Sequence, residues 1–311
     1  MQDDVIDPRW SFIRRIPFGW LRTLYENVPS GRIPLFTGET VLAATDTSGG
    51  QRGSRYSVTG VLLIDNDNSL SWHKQRLTIR KRYLSDGRRM SFKNLNDCQR
   101  RAALIPFLRA ADDIRGLLVV MAFDKRLGSL CTSRDLYDEA GTAGILKARW
   151  KHDAFEQMMR TVQLVSTLFA SVVKRGQNLY WISDMDDCLA NQERKADTAR
   201  MMNSFTSEYI HHQLGELGIG TTELDEGDRL EEDLTAIPDV AAGAMCDLLN
   251  RMHEHHGTFP LIPTFVPDLK SKTDLISSWF FHEGGSLVKL AWVGRLVRKG
   301  HMQFGSFRTE T

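Results

Sequence analysis

The stretch Val41-Leu-Ala-Ala-Thr-Asp46-Thr-Ser-Gly-Gly50 decides how the rest of the chain is arranged. Its first residues are mostly apolar and partly β-branched, and an acidic residue and a Ser-Gly-Gly turn follow them. This pattern predicts a short buried strand with a carboxylate at its end. The segment Tyr56-Ser-Val-Thr-Gly-Val-Leu-Leu-Ile64 predicts a second strand one loop later, so we expect a β-hairpin. Taken alone, Asp46 is either a turn residue that accepts a backbone hydrogen bond or a functional carboxylate.

The composition predicts a globular protein without extreme charge. With 311 residues, of which 41% are hydrophobic, the chain is long enough for one large domain or two modest ones. A net charge of +1 excludes a strongly basic or strongly acidic protein. The four cysteines form no Cys-x-x-Cys pair, which argues against a zinc finger or a disulfide scaffold. The sequence shows neither a signal peptide nor an apolar run of roughly 18 residues, so we expect a cytoplasmic protein.

Strands and helices alternate after the hairpin. The run Gly116–Asp124 is apolar up to its last residue, as strands buried on both faces are. A helix is predicted over His152–Lys174, where apolar residues recur at helical spacing, and a strand over Asn178–Asp184. This order predicts an α/β fold in which α-helices flank a mixed β-sheet.

We expect one main domain over residues 36–256, with an addition at each end. Residues 1–35 are predicted to form a helical extension whose aromatic residues dock on the main body. Residues 257–311 are predicted to pack on the same body and to contribute a strand over Leu287–Val293.

Acidic residues stand at the ends of three predicted strands, at Asp46, Asp124 and Asp184. The carboxyl ends of strands collect along one edge of an α/β sheet, where sites form. Asp186 lies just beyond Asp184, although helix capping also explains acidic residues in that segment. Pro238 suits the first position of a helix, which would place Asp239 in a first turn that points to the same edge. The helix dipole would favour an ionised Asp239, but it also makes such a residue stabilising without any function.

Converging carboxylates predict a site for divalent cations. Phosphodiester hydrolysis requires stabilisation of charge on the attacking and leaving oxygens, which two cations about 4 Å apart provide. Mg²⁺ and Mn²⁺ prefer hard oxygen ligands. We therefore expect Asp46, Asp184 and Asp239 to hold Mg²⁺ or Mn²⁺, with Asp124 or Asp186 completing the ligand shell.

A segment between residues 73 and 93 holds the densest positive charge in the sequence. It predicts either the solvated face of a helix or a surface that follows a nucleic-acid backbone and displaces its counterions. In the second case DNA or RNA would be bound by Lys74, Arg76, Arg80, Lys81, Arg82, Arg88, Arg89 and Lys93.

Five segments form a pattern through their order and spacing. They are Asp46-Thr-Ser-Gly, Met90-Ser-Phe-Lys93-Asn-Leu, Val119-Val-Met-Ala-Phe-Asp-Lys125, Trp181-Ile-Ser-Asp184 and Ile237-Pro-Asp239-Val-Ala-Ala-Gly243-Ala. Together they resemble DUF3800, a bacterial and phage family of unknown function in the ribonuclease H-like superfamily. The resemblance covers roughly residues 40–251 and implies a ribonuclease H-like fold. It also implies that Asp46, Asp184 and Asp239 match the acidic positions of the family, and that Lys93 matches a lysine that would contact a substrate phosphate.

Two positions depart from the family pattern. Thr47 stands where the family usually has Glu, and Met90 or a neighbouring arginine stands where its middle motif has another Glu. The loss of both acids would weaken a cation site, or would require Asp124 and Asp186 to supply the missing ligands.

The leading expectation is a divalent-metal-dependent nuclease that hydrolyses phosphodiester bonds of DNA or RNA, with an effector role in phage defence as an extension. The alternative is a non-catalytic module of the same fold that binds nucleic acid or a protein partner. A third hypothesis, a structural subunit of a larger assembly, would require an exposed aromatic N-terminal helix.

Overall fold

Seven strands form one sheet around the predicted hairpin. The structure is a computed structural model that describes residues 20–21, 33–130, 146–184, 188–225, 227–256, 271–296 and 302–307. The strands are β1 (Thr40–Ser48), β2 (Tyr56–Asp65), β3 (Gly116–Asp124), β4 (Asn178–Ser183), β5 (Leu217–Thr221), β6 (Leu287–Leu296) and β7 (Met302–Phe307). The helices are α1 (Leu70–Tyr83), α2 (Cys98–Ala111), α3 (His152–Val172), α4 (Gln192–Tyr209), α5 (Leu230–His256) and α6 (Lys272–Phe281).

The strands lie in the order β5-β4-β1-β2-β3-β6-β7. β1, β2 and β3 pair antiparallel in the order of the chain. On the other side of β1, β4 pairs parallel with β1 and β5 pairs parallel with β4. β6 is parallel to β3, and β7 is antiparallel to β6. The predicted α/β fold, a mixed sheet with flanking helices, is therefore confirmed.

Different helices cover the two faces of the sheet, as the alternation of side chains along β1 shows. Val41 and Ala43 are buried on the face that packs against α3 and α4. Leu42 and Ala44 are buried on the other face, against α1, α2 and α5. Asp46 follows Leu42 and Ala44 at the same spacing of two residues, so its side chain lies on the face that α5 covers.

The helix that carries Asp239 begins earlier than predicted. α5 has 27 residues, and Pro238 lies inside it rather than at its first position. The start of α5 is held by α1, because the carboxylate of Asp233 accepts hydrogen bonds from Arg76 at 3.2 Å and from Arg80 at 2.7 Å. Because the helix begins at Leu230, the prediction that Asp239 lies in the first turn is wrong. The helix dipole acts within the first turn, so it does not explain an ionised Asp239.

Both ends of the chain contribute to the main body. β6 and β7 extend the sheet beyond β3, so the strand predicted over Leu287–Val293 is confirmed and is longer than predicted. Near the other end, Trp20 is buried with its ring edge-on to Phe123, at 5.3 Å between ring centroids. The rest of the predicted helical extension, up to residue 32, lies outside the described residues. No helix in the described ranges combines the length and the apolar character that a membrane span requires.

Candidate active site

The register of β1 and β4 places Asp46 and Asp184 side by side. The two strands run parallel, and Thr45 and Ser183 are the last residues that they pair. Asp46 and Asp184 are the next residues on each chain, and adjacent strands lie about 5 Å apart. The structure therefore brings these two predicted ligands together at the carboxyl ends of neighbouring strands.

A glycine on β2 brings Asp239 to the same place. Gly60 is the register partner of Asp46. α5 lies directly on Gly60, since a Cβ atom there would be 2.7 Å from the carbonyl oxygen of Pro238. Asp239 follows Pro238, so the close approach of α5 carries its carboxylate to the part of the sheet that holds Asp46. Sequence analysis assigned no role to this glycine.

The segment after α1 holds the carboxylate of Asp239. The backbone N–H of Phe92 donates to Asp239 Oδ2 at 3.0 Å, and the Ser91 side chain also hydrogen-bonds the carboxylate. Burial raises the pKa of Asp239, and the Asp184 carboxylate adds to the rise, whereas these hydrogen bonds and Arg89 oppose it. Asp239 is thus a buried acid whose ionised form depends on nearby positive charge and on hydrogen-bond donors.

Arg89 supplies that positive charge. Its Nη2 atom donates to Asp184 Oδ2 at 2.5 Å. This hydrogen bond raises the pKa of the Arg89 guanidinium, and the charges of Asp184, Asp239 and Asp46 add to the rise. Thr222 donates to the other oxygen of Asp184 at 2.9 Å. Arg89, which was predicted to contact a nucleic-acid backbone, is instead the cation around which the three aspartates converge.

The acidic cluster, by which we mean Asp46, Asp184 and Asp239, offers the ligand type that Mg²⁺ and Mn²⁺ prefer. One member, Asp184, is hydrogen-bonded to Arg89, and the charges of all three act on the Arg89 guanidinium. In the described part of the chain, no group of three or more His, Cys, Asp or Glu residues is arranged to hold a metal ion as it stands. The donor chemistry therefore fits a divalent cation.

No family model matches the chain, and no curated protein matches it either. The geometry of the acidic cluster and of Arg89 is therefore the main evidence about function.

Asp124 lies apart from the acidic cluster. Its register partner is Tyr56, at the start of β2, and β3 is two strands away from β1. Strand spacing and rise put it roughly 15 Å from Asp46. Its carboxylate is 1% exposed and accepts hydrogen bonds from Arg55 Nη2 at 2.9 Å and Arg126 Nη2 at 2.7 Å. The structure therefore places Asp124 in a separate group of ion pairs and not in the predicted ligand shell.

Two further positions bear on that ligand shell. Asp186 lies outside the described residues, which omit 185–187. Thr47 accepts a hydrogen bond from Gln157 Nε2 of α3 at 3.0 Å, so it faces the side of the sheet opposite to Asp46. A side chain at position 47 therefore points away from the acidic cluster. Having Thr instead of Glu at this position removes no ligand from the face that α5 covers.

Half of the residues predicted to bind nucleic acid are used inside the protein. Arg76 and Arg80 are buried and bind acidic residues of α5, so the prediction that they follow a nucleic-acid backbone is wrong. Arg88 forms salt bridges with two aspartates at the surface, and Arg89 forms one with Asp184. The residues of this set that remain exposed are Lys74, Lys81, Arg82 and Lys93.

Lys272 lies near the site and was missed by the sequence analysis. It is the first residue of α6, and its Nζ atom donates to the carbonyl oxygen of Phe92 at 2.8 Å. Burial lowers the pKa of Lys272, and the charges of Asp247 and Asp239 oppose that change. Lys93 is exposed in the same short segment as Phe92. No local signal marks Lys272, because its partner Phe92 lies 180 residues earlier in the chain.

Proposed function

We propose that this protein is a divalent-metal-dependent nuclease of ribonuclease H-like fold, which hydrolyses phosphodiester bonds of DNA or RNA. The observation that supports the proposal is the proximity of Asp46, Asp184 and Asp239, with the Arg89 guanidinium hydrogen-bonded to Asp184. Carboxylates in one crevice repel one another, and a bound cation offsets that repulsion. Three such residues from distant parts of the chain are more than the stability of the fold requires.

The strand order supports the ribonuclease H-like part of the proposal. β1 has the parallel strands β4 and β5 on one side, and on the other side β2 and β3, which pair antiparallel, followed by β6 and β7. In this arrangement the acidic residues at the carboxyl ends of the first and fourth strands are neighbours. α5, which follows β5, then supplies the third acid.

Each residue of the site has a distinct task in this proposal. Asp46 and Asp184 lie at rigid strand ends and Asp239 lies within a helix, so their carboxylates are held in a fixed arrangement. Mg²⁺ or Mn²⁺, when bound by them, would activate water and stabilise charge on the phosphate. Lys93 and Lys272, close to Asp239, would hold a substrate phosphate through charge-assisted hydrogen bonds.

A second basic group continues this surface along the same edge of the sheet. Arg55 and Arg126 form a fork on the buried carboxylate of Asp124, and Lys125 is exposed beside them. We name Arg55, Lys125 and Arg126 the edge cluster. The edge cluster carries three positive charges and the Asp124 carboxylate carries one negative charge, so the net positive charge of this group attracts anions. We propose that a nucleic-acid backbone runs from the edge cluster to the acidic cluster, a role that the buried Arg76 and Arg80 do not serve.

Cleavage assays test the proposal directly. End-labelled single- and double-stranded DNA and RNA are incubated with the protein in Mn²⁺, in Mg²⁺ and in EDTA. Asp46→Asn removes one charge from the acidic cluster at nearly constant shape and is expected to abolish cleavage. Asp153→Asn is the matched control, because Asp153 is fully exposed on α3. Metal-dependent cleavage that is lost only in Asp46→Asn supports the nuclease, whereas no cleavage by the wild type, or equal cleavage by all three proteins, contradicts it.

A non-catalytic nucleic-acid-binding module is the second candidate, and the Arg89–Asp184 ion pair favours it. If Arg89 balances the acidic cluster permanently, the protein needs no metal and its edge cluster still binds a backbone. Binding that is unchanged by EDTA, without cleavage of any substrate, would support the module. An effector role in phage defence, with a protein partner in the cytoplasm, is an extension of either function.

A further inference from the structure

We propose that Arg89 is a built-in counter-ion that competes with the divalent cation for the acidic cluster, and that a phosphate of the nucleic acid draws it away. The inference rests on the proposed function and adds a control to the same site. In the structure, the guanidinium binds Asp184 at 2.5 Å, and the charges of Asp239 and Asp46 also stabilise its protonated form. A guanidinium and a divalent cation repel each other, so they do not share these carboxylates.

The surroundings of Arg89 allow its side chain to move while its backbone stays in place. Its carbonyl oxygen accepts a hydrogen bond from Arg100 Nε at 2.7 Å, and the next residue, Met90, is fully buried. The Arg89 side chain itself is 27% exposed, so solvent and ligands reach it. A rotation about side-chain bonds is therefore enough to take the guanidinium out of the acidic cluster.

The neighbouring arginine does not share this role. Arg88 is paired with Asp86 and Asp97, on the surface outside the acidic cluster. Its removal would leave the charge around Asp184 unchanged. Arg88 therefore serves as a matched control for Arg89, being the same residue type at the next position with a different set of partners.

A phosphate is the ligand best suited to release Arg89. A guanidinium binds phosphate oxygens through two parallel hydrogen bonds, as it binds a carboxylate. When a backbone phosphate takes over Arg89, Asp184 loses its ion pair with that guanidinium, and the acidic cluster becomes a ligand set for Mg²⁺ or Mn²⁺. Binding of nucleic acid and of metal would then favour each other, and the coupling is reciprocal. The metal would be held firmly only when substrate is present.

Binding of Mn²⁺, followed by calorimetry and by electron paramagnetic resonance, tests this inference without reference to cleavage. The proteins are the wild type, Arg89→Ala, Arg89→Lys and the control Arg88→Ala, each checked for folding by circular dichroism. Arg89→Ala is expected to bind Mn²⁺ roughly tenfold more tightly or better than the wild type. Arg89→Lys keeps the charge and Arg88→Ala keeps Arg89, so both are expected to bind as the wild type does.

The same titration is repeated with a phosphorothioate oligonucleotide that resists cleavage. This ligand is expected to tighten Mn²⁺ binding by the wild type severalfold and to change that of Arg89→Ala little. Equal Mn²⁺ affinity of wild type and Arg89→Ala, or equal tightening by the oligonucleotide in both, would overturn the inference and leave the nuclease proposal standing. Absence of Mn²⁺ binding in every variant would overturn both, because the acidic cluster would then not be a metal site.

Discussion

Gly60 and Pro238 lie so close together that a Cβ atom on Gly60 would be 2.7 Å from the carbonyl oxygen of Pro238. This contact sets the distance between β2 and α5, and through it the position of Asp239 relative to Asp46. A side chain at residue 60 would have to push α5 outward. The acidic cluster therefore depends on a glycine that has no chemical role of its own.

Gly60→Ala is expected to destabilise the protein by about 1–3 kcal/mol, as overpacking of a tight contact does. It should also weaken Mn²⁺ binding, because Asp239 moves with α5. Urea unfolding and Mn²⁺ titration measure the two effects. Gly50→Ala is the control, since a Cβ atom at Gly50 meets nothing within 4 Å and its backbone has no positive φ. A Gly60→Ala variant as stable as Gly50→Ala would contradict the close packing.

The raised pKa of Asp239 predicts a pH-dependent effect on stability. Burial, the largest cause, raises its pKa above the ordinary value of 3.8, so the folded protein holds this proton more tightly than the unfolded chain does. The stability that this proton contributes is present below pH 3.8 and is lost as the pH rises through the raised pKa. Asp239→Asn should therefore be more stable than the wild type at neutral pH.

The advantage of Asp239→Asn should shrink as the pH falls toward 4, a window that follows from the direction of the shift. Urea unfolding of both proteins at several pH values measures the difference, in which the contributions of carboxylates distant from Asp239 cancel. The variant should also lose Mn²⁺ binding, so that stability and function change in opposite directions. A difference in stability that does not vary with pH would show that Asp239 is not a buried titrating group.

The basic residues of α1 separate into structural and exposed ones. Asp233, 1% exposed, binds both Arg76 and Arg80, so Asp233→Ala leaves two buried positive charges without their shared partner. Loss of one member of a buried ion pair costs about 3–5 kcal/mol. Lys74→Ala, at an exposed position of the same helix, should change stability by no more than about 0.5 kcal/mol. Similar unfolding midpoints in urea for the two variants would contradict the structural role of Asp233.

The edge cluster is expected to bind the nucleic-acid backbone by charge. The logarithm of the binding constant falls linearly with the logarithm of salt concentration, and each phosphate contact contributes a slope of about one. A double variant, Lys125→Ala with Arg126→Ala, should lower the slope by about two and weaken binding to all sequences alike. Lys74→Ala, on α1, should leave the slope unchanged. An equal loss of slope in both would show that binding is spread over the whole basic surface.

Local sequence patterns predicted the elements of the fold and part of the site. Two short apolar runs separated by a Gly-containing turn predicted the hairpin, and the apolar run of β3 predicted a strand buried on both faces, because these patterns depend only on nearby residues. The register that places Asp46 beside Asp184 also follows from two strands whose carboxylates stand at matching ends.

Local sequence patterns do not predict long-range ion pairs. Arg76, Arg80 and Arg89 look alike in a basic segment, yet two are buried against α5 and the third faces the acidic cluster. Their partners lie far along the chain, so only the fold distinguishes them. The same holds for Asp124, which stands at a strand end as expected and is bound by Arg55, the residue before β2.

The position of a bound Mn²⁺ ion tests the central claim most directly. Crystals of Arg89→Ala soaked in Mn²⁺ would give an anomalous difference map in which the ion is identified by its own signal. We predict a peak within ligand distance, about 2.2 Å, of carboxylate oxygens of Asp46, Asp184 and Asp239. A map with no peak there, or with a peak only at another site, would contradict the account.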